Sequence, residues 1–238
     1  MAKKKGGLKV PTANELSKRY GDMIVSASDT KESGLWLPST FFMLNYTFGG
    51  GIPFGKILEV AGEESSGRSL IAYNFAYTTQ QLGGHVIWVD AEQAWMNSWA
   101  QENGVDPNGV TVIRDTRIEN IADALADVAI YWRSQLTHNE PILLVVDSIA
   151  AMDCADNIDS KMVDGKSEMG GRAKALYKFF RIRSELFYKL GITQIYINQL
   201  RTALNVGFGK DNTCLHYDTI IPFVDGTSMK IGEIIKNR

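Results

Sequence analysis

Cysteine, histidine and long apolar runs are scarce in this chain, and its charges are nearly balanced. Two cysteines and three histidines occur in 238 residues, without the spacing of a disulfide framework or of a zinc site. No apolar run approaches the about 18 residues that span a bilayer. The formal net charge of −2 leaves no global basic field, so a nucleic-acid surface would have to be local. These absences predict a cytoplasmic protein of a reducing compartment, without membrane contact.

What the chain does have is a glycine-framed loop between an apolar run and a helical segment. The pattern predicts a strand over 56–61, the loop, and a helix over 69–82. The loop fits G-x-x-x-x-G-[K/R]-[S/T], with arginine replacing the usual lysine: Gly62, Glu63, Glu64, Ser65, Ser66, Gly67, Arg68 and Ser69. Its amides and the helix N-terminus can bind a β-phosphate, and Ser69 can offer its hydroxyl to Mg²⁺. An ordinary Gly/Ser-rich turn is the alternative from the loop alone.

Two apolar strands that lead to carboxylates extend this pattern. One runs from Val86 to Asp90 and continues as Ala-Glu, and the other runs from Ile142 to Asp147. In an open parallel sheet the carboxyl ends of such strands share one edge with the phosphate loop. Glu92 is suited to polarise an attacking water, and Asp147 to hold Mg²⁺ through water. Together these features predict nucleotide binding and an α/β fold with a mostly parallel sheet flanked by helices.

The rest of the pattern supplies further elements and two long polar stretches. Helices are predicted over 12–20, 93–103, 118–136 and 172–189, and strands over 110–113 and 192–197. Thr12 and Glu15 have the spacing of a capping box. The helix over 172–189 carries six cations and one carboxylate, which indicates either a nucleic-acid surface or a solvated face. The stretches 153–171 and 202–213 are long for loops of a compact domain, which favours a functional role.

From about residue 34 to 213 the chain resembles the RecA family of strand-exchange recombinases, most of all its phage UvsX type. Four phrases carry the likeness: Ala61 to Ser69, Val89-Asp90-Ala91-Glu92, Val145 to Ala151, and Ile197-Asn198-Gln199-Leu200-Arg201. Their order and spacing together are specific. The resemblance implies a RecA-like P-loop ATPase core that uses ATP and Mg²⁺, binds single-stranded DNA and assembles with itself into a helical filament. If the protein is phage-encoded, it would act in the host cytoplasm.

The resemblance also implies roles for single residues. Residues 62–69 would hold the phosphates and Mg²⁺, Trp99 would stack on adenine, and Asp147 would be the Walker B carboxylate. Glu92 would position the attacking water, and Gln199 would sense the γ-phosphate. The two polar stretches would face DNA, with these contact candidates: Met169, Gly170, Arg172, Arg201 and Phe208. Arg68 keeps the charge of the family's lysine, but its planar fork reaches phosphate differently.

From Cys214 onward the chain leaves this pattern. The segment Cys-Leu-His-Tyr-Asp-Thr-Ile-Ile resembles the N-terminal splicing motif of inteins, C-L-x-x-D-T-x-I. Strands over 219–224 and 229–235 around Asp225-Gly226 predict a hairpin. The resemblance implies that the Cys214 thiol attacks the preceding carbonyl, which turns the amide into a thioester by an N-to-S acyl shift. A plain C-terminal hairpin is the alternative.

These features divide the chain into an N-terminal arm over 1–33, a C-terminally incomplete RecA-like core over 34–213, and a split-intein N-fragment over 214–238. They predict a precursor that a separate chain, carrying the C-intein and C-extein, completes by trans-splicing into a DNA-dependent ATPase and recombinase. A stand-alone RecA-fold DNA-dependent ATPase with a non-splicing hairpin is the main alternative. A nucleotide-free interaction module is the third hypothesis.

Overall fold

The computed structural model describes residues 12–24, 26, 34–159, 170–200, 220–222 and 228–230. Helix α1 (Ala13–Tyr20) comes first, and the predicted capping box at its start is confirmed. The Thr12 hydroxyl accepts a hydrogen bond from the Glu15 backbone amide, and the Glu15 carboxylate accepts one from the Thr12 backbone amide. A short antiparallel pair follows, formed by β1 (Trp36–Leu37) and β2 (Ile52–Pro53). Helix α2 (Phe42–Phe48) lies between them in sequence.

Five parallel strands form the sheet that positions the candidate site. They are β3 (Ile57–Gly62), β4 (His85–Asp90), β5 (Val110–Ile113), β6 (Ile142–Asp147) and β7 (Ile192–Gln199). Their order across the sheet is β3-β7-β6-β4-β5, and each neighbouring pair is parallel. The predicted α/β class with a mostly parallel sheet is thereby confirmed. Asp90 lies opposite Asp147 and Gly62 opposite Gln199, so four strand ends meet at one edge.

Helices cover both faces of this sheet. They are α3 (Arg68–Gln81), α4 (Asn97–Glu102), α5 (Ile118–Gln135), α6 (Ala155–Asp159) and α7 (Gly171–Lys189). Because side chains alternate along a strand, Trp88 packs in one core with Phe75 of α3, whereas its neighbour Val89 packs in the other core with Leu125 of α5 and Phe187 of α7. Burial of each such large apolar side chain contributes about 1.5–3 kcal/mol.

Three elements differ from the sequence-based expectation. The helix predicted over 93–103 begins only at Asn97, because Gln93 has a positive φ of 55° and the Asp90 carboxylate binds the amides of Ala94 and Trp95. Helix α6 lies within a stretch predicted as loop, of which residues 160–169 lie outside the described residues. Helix α2 was missed because its seven residues are mostly apolar and so show no helical alternation of apolar and polar positions.

Near the end of the chain, β8 (Ile220–Pro222) and β9 (Ser228–Lys230) pair antiparallel, with Ile221 opposite Met229. The pair lies within the range predicted as a hairpin, whose turn at Asp225-Gly226 lies outside the described residues. The hairpin of an intein stays a prediction. The boundary predicted between residues 213 and 214 also lies outside them and stays a prediction. In the described ranges, no helix combines the length and apolar content needed to cross a bilayer.

Candidate nucleotide site

The predicted phosphate loop joins the end of β3 to the start of α3. Gly67 has a φ of 84° and Ser65 one of 60°, so the chain turns through left-handed conformations just before the helix. A Cβ on Gly62 would lie 2.6 Å from Oγ of Ser66, so that hydroxyl would have to move for any larger residue. Four consecutive side chains of the loop are exposed: Glu63, Glu64, Ser65 and Ser66. The 14-residue α3 thus begins at the sheet edge, where unpaired helix amides favour an anion.

Ser69 and Asp147, the two predicted Mg²⁺ ligands, are in direct contact. The Ser69 hydroxyl donates to Oδ2 of Asp147 at 2.8 Å. The pKa of Asp147 is raised above its ordinary value, mainly by burial. The bond from Ser69 and the charge of Arg68 lower this pKa, whereas the charges of Glu92 and Asp90 raise it. A hydroxyl and a carboxylate beside other acidic groups offer the oxygen donors that Mg²⁺ prefers. The residues therefore fit a Mg²⁺ ion, whose charge would offset this excess of negative charge.

Glu92 lies at the centre of a small polar network at the same edge. The Ser148 hydroxyl donates to Oε1 of Glu92, and Nε2 of Gln199 donates to the same oxygen at 3.3 Å. The peptide bond between Asp147 and Ser148 is cis. The fold thus places the predicted water-activating carboxylate against the predicted γ-phosphate sensor, although the two are far apart in sequence.

Arg68 does not point into open space above the loop. Its Nη1 donates to the backbone carbonyl of Asn198, on β7, at 2.7 Å. The sequence placed Arg68 on the phosphates, and its local pattern held no sign of this partner. The contact depends on the pairing of β3 with β7, which sets Ala61 opposite Asn198.

A cavity of about 390 Å³ opens beside the Ser69–Asp147 pair and extends toward α4. Trp99, predicted to stack on adenine, is 44% exposed and lines this cavity. The other lining residues are mostly aromatic or acidic: Ser69, Tyr73, Trp88, Asp90, Ala94, Trp95, Met96 and Asp147. Burial, then Asp147 and Asp90, raise the pKa of Tyr73 to about 12, so its hydroxyl stays protonated at neutral pH. The cavity therefore offers an aromatic wall next to the Ser69–Asp147 pair that is predicted to hold Mg²⁺.

Asp90 has a positioning role that the sequence did not assign. Its side chain is 2% exposed and accepts from the amides of Ala94 at 2.8 Å and Trp95 at 3.2 Å. Nε of Arg114 lies 3.4 Å from its Oδ2. By holding the segment after Glu92, Asp90 sets the wall of the cavity. The available signal was a carboxylate at a strand end two residues before the predicted catalytic one.

The candidate DNA contacts divide between described and undescribed residues. Gly170 has a φ of 102° and precedes α7 as its N-cap. Arg172 was predicted to face DNA, but its Nη2 donates to the carbonyl of Ile149 at 2.9 Å and it is half-buried. Other side chains of α7 are exposed at helical spacing instead: Lys174, Tyr177, Lys178 and Arg181. The spacing i, i+3, i+4, i+7 was the signal that could have distinguished them. Four predicted site residues lie outside the described residues: Met169, Arg201, Phe208 and Cys214.

Comparison with known proteins places the chain in a family. The model of the RecA N-terminal domain matches residues 11–232. The chain is similar to Protein RecA of Mycobacterium leprae (strain TN), with 32% identity over 203 residues, 85% of this chain and 27% of the relative. Protein RecA of Mycoplasma mycoides is 30% identical over 202 residues, which are 84% of this chain and 56% of the relative. Protein RecA of Clostridium beijerinckii is 36% identical over 167 residues, which are 69% of this chain and 43% of the relative.

The chain thus spans between about a quarter and just over half of the length of these curated relatives. The matched range runs past Cys214, so the predicted end of the core at residue 213 is not decided by it. The parallel five-stranded sheet, the phosphate loop and the match over residues 11–232 agree. The chain belongs to the RecA N-terminal domain family.

Proposed function

We propose that this chain supplies the Mg²⁺–ATP-binding part of an ATP-dependent DNA strand-exchange recombinase that acts in recombination and repair. The observation that carries the proposal is the 2.8 Å contact between the Ser69 hydroxyl and the Asp147 carboxylate beside the phosphate loop. Relatives of the chain bear the name Protein RecA, which supports the same reading. The finer assignment to the phage UvsX type rests on the motifs of the sequence.

Each residue of the site has a task in this proposal. Amides of the phosphate loop and of the α3 N-terminus bind the β- and γ-phosphates. Ser69 and Asp147 would hold Mg²⁺, which supplies charge neutralisation on phosphate oxygens when bound. Glu92 orients the attacking water and accepts its proton, while Trp99 provides a stacking surface for the base. Gln199 would respond to the terminal phosphate, and its bond to Glu92 supports this task.

Single-stranded DNA is the proposed polymer substrate, bound along a filament of many copies. The exposed face of α7 carries Lys174, Lys178 and Arg181, and Arg181 lies 5.9 Å from the ring centre of Tyr177. Cations beside an aromatic ring suit a phosphate backbone with stacked bases. The predicted contacts from the polar stretches stay part of the proposal: Met169, Gly170, Arg201 and Phe208. Arg172, whose Nη2 donates to the carbonyl of Ile149, stays part of the proposal as well.

The test of nucleotide binding compares Ser69→Ala with Ser134→Ala, which removes an exposed hydroxyl on α5. Binding of a fluorescent ATP analogue is titrated with Mg²⁺ and with EDTA. We expect Ser69→Ala to weaken the Mg²⁺-dependent binding by about tenfold or more, as loss of a charge-assisted contact implies. Ser134→Ala should bind as the wild type does. A wild-type chain that binds no nucleotide at any Mg²⁺ concentration would refute the proposal and favour an interaction module.

The second part of the proposal is that the chain is a splicing precursor. The thiol of Cys214 attacks the Thr213 carbonyl carbon, the C–N bond breaks, and a thioester with a free amine results. A separate chain with the C-intein and C-extein then completes ligation of the recombinase. The cysteine-led splicing motif and the antiparallel strands at 220–222 and 228–230 support this part.

Intact-mass analysis of the chain mixed with its complementary half tests the splicing step. We expect a ligated product that lacks residues 214–238, and none with Cys214→Ala. Cys154→Ala, which changes the chain's other, buried cysteine, should still give the ligated product. If Cys214→Ala ligated as well as the wild type, splicing would be disproved. Full DNA-stimulated ATP hydrolysis by the unmixed chain would favour the stand-alone ATPase instead.

A further inference from the structure

Arg68 spans the distance between the phosphate loop and the end of β7. It lies at the first residue of α3, and its Nη1 donates to the Asn198 carbonyl at 2.7 Å. The stem of Arg68 passes over Gly62, since its Cγ and Cδ lie 3.5 Å from where a Cβ of that glycine would be. The side chain is therefore held along the loop rather than extended into solvent.

The last residues of β7 are attached to the nucleotide site at several points besides Arg68. The Asn198 side-chain amide donates to Oε1 of Glu59 at 3.0 Å. The Leu200 amide donates to the Gly62 carbonyl at 3.0 Å. With the bond from Gln199 to Glu92, each residue from 198 to 200 contacts β3, the phosphate loop or Glu92. A change in the conformation of the phosphate loop is therefore transmitted to residues 198–200 through these contacts.

An arginine can serve two acceptors that lie apart from each other, whereas a lysine serves only acceptors close to its single nitrogen. The guanidinium has five N–H donors on three nitrogens in a planar fork. One nitrogen is used by Asn198, which leaves the others for a phosphate oxygen of a nucleotide in the loop. A lysine ammonium is a single nitrogen, so its donors serve acceptors around one point only.

We infer that Arg68 is a bridging residue, which keeps one guanidinium nitrogen on the Asn198 carbonyl while the others bind the terminal phosphate of a nucleoside triphosphate. The triphosphate and the end of β7 are then fastened to one rigid group. Arg68 is a positioning residue for β7 as well as a phosphate ligand. This role rests on the nucleotide binding proposed above and adds a second link to that of Gln199.

Hydrogen exchange of the amides in β7 and at Leu200 tests the bridge. The full chain is measured without nucleotide, with Mg²⁺–ADP and with a slowly hydrolysed Mg²⁺–ATP analogue, at saturation determined by separate binding titrations. Arg68→Lys is compared with Arg183→Lys, which alters an ion pair with Asp123 on the far side of the sheet. For the wild type we expect exchange at 199–200 to slow on the order of tenfold with the triphosphate.

For Arg68→Lys we expect faster exchange than the wild type without nucleotide, retained nucleotide binding, and little further slowing with the triphosphate. Arg183→Lys should behave as the wild type does. Equal protection in Arg68→Lys and wild type would overturn the bridge and leave the proposed function standing. Faster exchange on triphosphate binding, or no binding by Arg68→Lys, would overturn it as well. A wild type without nucleotide binding would instead refute the proposed function itself.

Discussion

Replacement of Asp147 by asparagine should have opposite effects on the stability of the ligand-free protein and on the stability of the protein with bound Mg²⁺ and nucleotide. Asparagine keeps the size and an acceptor oxygen for the Ser69 hydroxyl, while it removes the charge and replaces the second oxygen with an amide nitrogen. In the ligand-free protein that charge is unfavourable, because burial, Glu92 and Asp90 raise the pKa of Asp147 against the opposing effects of Ser69 and Arg68.

The sign of the pH dependence follows from this direction. The native pKa lies above the ordinary value of 3.8, so the native state binds more protons than the unfolded state between the two values. Stability is therefore lost as pH rises through that interval, and the charged carboxylate disfavours the empty fold at neutral pH. We expect ligand-free Asp147→Asn to be at least as stable as the wild type at pH 7, with the difference shrinking as pH falls.

With Mg²⁺ and nucleotide bound, the wild type should be more stable than Asp147→Asn. A ligand at 100 times its Kd stabilises by about 2.7 kcal/mol, and for a chain of this size about 2–4 °C of Tm corresponds to 1 kcal/mol. The wild type should thus gain roughly 5–11 °C with Mg²⁺ and an ATP analogue. Part of this rise in Tm should depend on Mg²⁺ and disappear when EDTA is added to the wild type. Asp147→Asn should lack this Mg²⁺-dependent part.

Thermal unfolding followed by dye fluorescence, with and without Mg²⁺ and nucleotide at pH 5 and 7, gives both readings from one preparation. Asp127→Asn, at an exposed position of α5, is a matched control for the same change of charge. An Mg²⁺-dependent gain in Asp147→Asn equal to that of the wild type would show that Asp147 holds no metal. A ligand-free variant clearly less stable than the wild type at pH 7 would contradict the assigned cause of the raised pKa.

Three further predictions concern catalysis, pH and packing. Glu92→Gln should lower phosphate release by the completed recombinase by about 10²–10⁴-fold with little change in nucleotide affinity, whereas the exposed Glu102→Gln should leave both unchanged. Burial lowers the pKa of His85 to about 4, so the native state binds this proton less readily than the unfolded state does. About 3 kcal/mol of stability should therefore be lost as pH falls from 6.5 toward 4. The urea midpoint of His85→Gln should depend less on pH than that of the wild type. Gly84→Ala would place a Cβ 2.1 Å from the Pro141 carbonyl oxygen and should cost about 1–3 kcal/mol in calorimetry, while Gly34→Ala, with open space around it, should cost far less.

Much of the nucleotide edge was accessible from local patterns. Continuous apolar runs that end at Asp90 and Asp147 predict buried parallel strands, and parallel strands bring their carboxyl ends to one edge whatever their order. A glycine-framed loop ahead of a helix predicts an anion site there. Ser69, Glu92 and Asp147 could therefore be placed together from the sequence.

Contacts between distant residues were not accessible in the same way. The bond between Arg68 and Asn198 joins positions 130 apart and exists only because β3 pairs with β7. The bond from Arg172 to the carbonyl of Ile149 likewise joins two positions that no local pattern relates. The late start of α4 depends on the Asp90 carboxylate capturing the next amides, which competes with helix formation.

The amino-acid order by itself determined the class of fold, the anion-binding loop and the carboxylates at its edge, because periodicity and glycine placement act over a few residues. Tertiary structure alone decided the strand order β3-β7-β6-β4-β5, the partner of Arg68 and which cations of α7 face outward. The physical reason is that these depend on side chains meeting across strands and helices, where burial and hydrogen bonding between remote segments outweigh local preference.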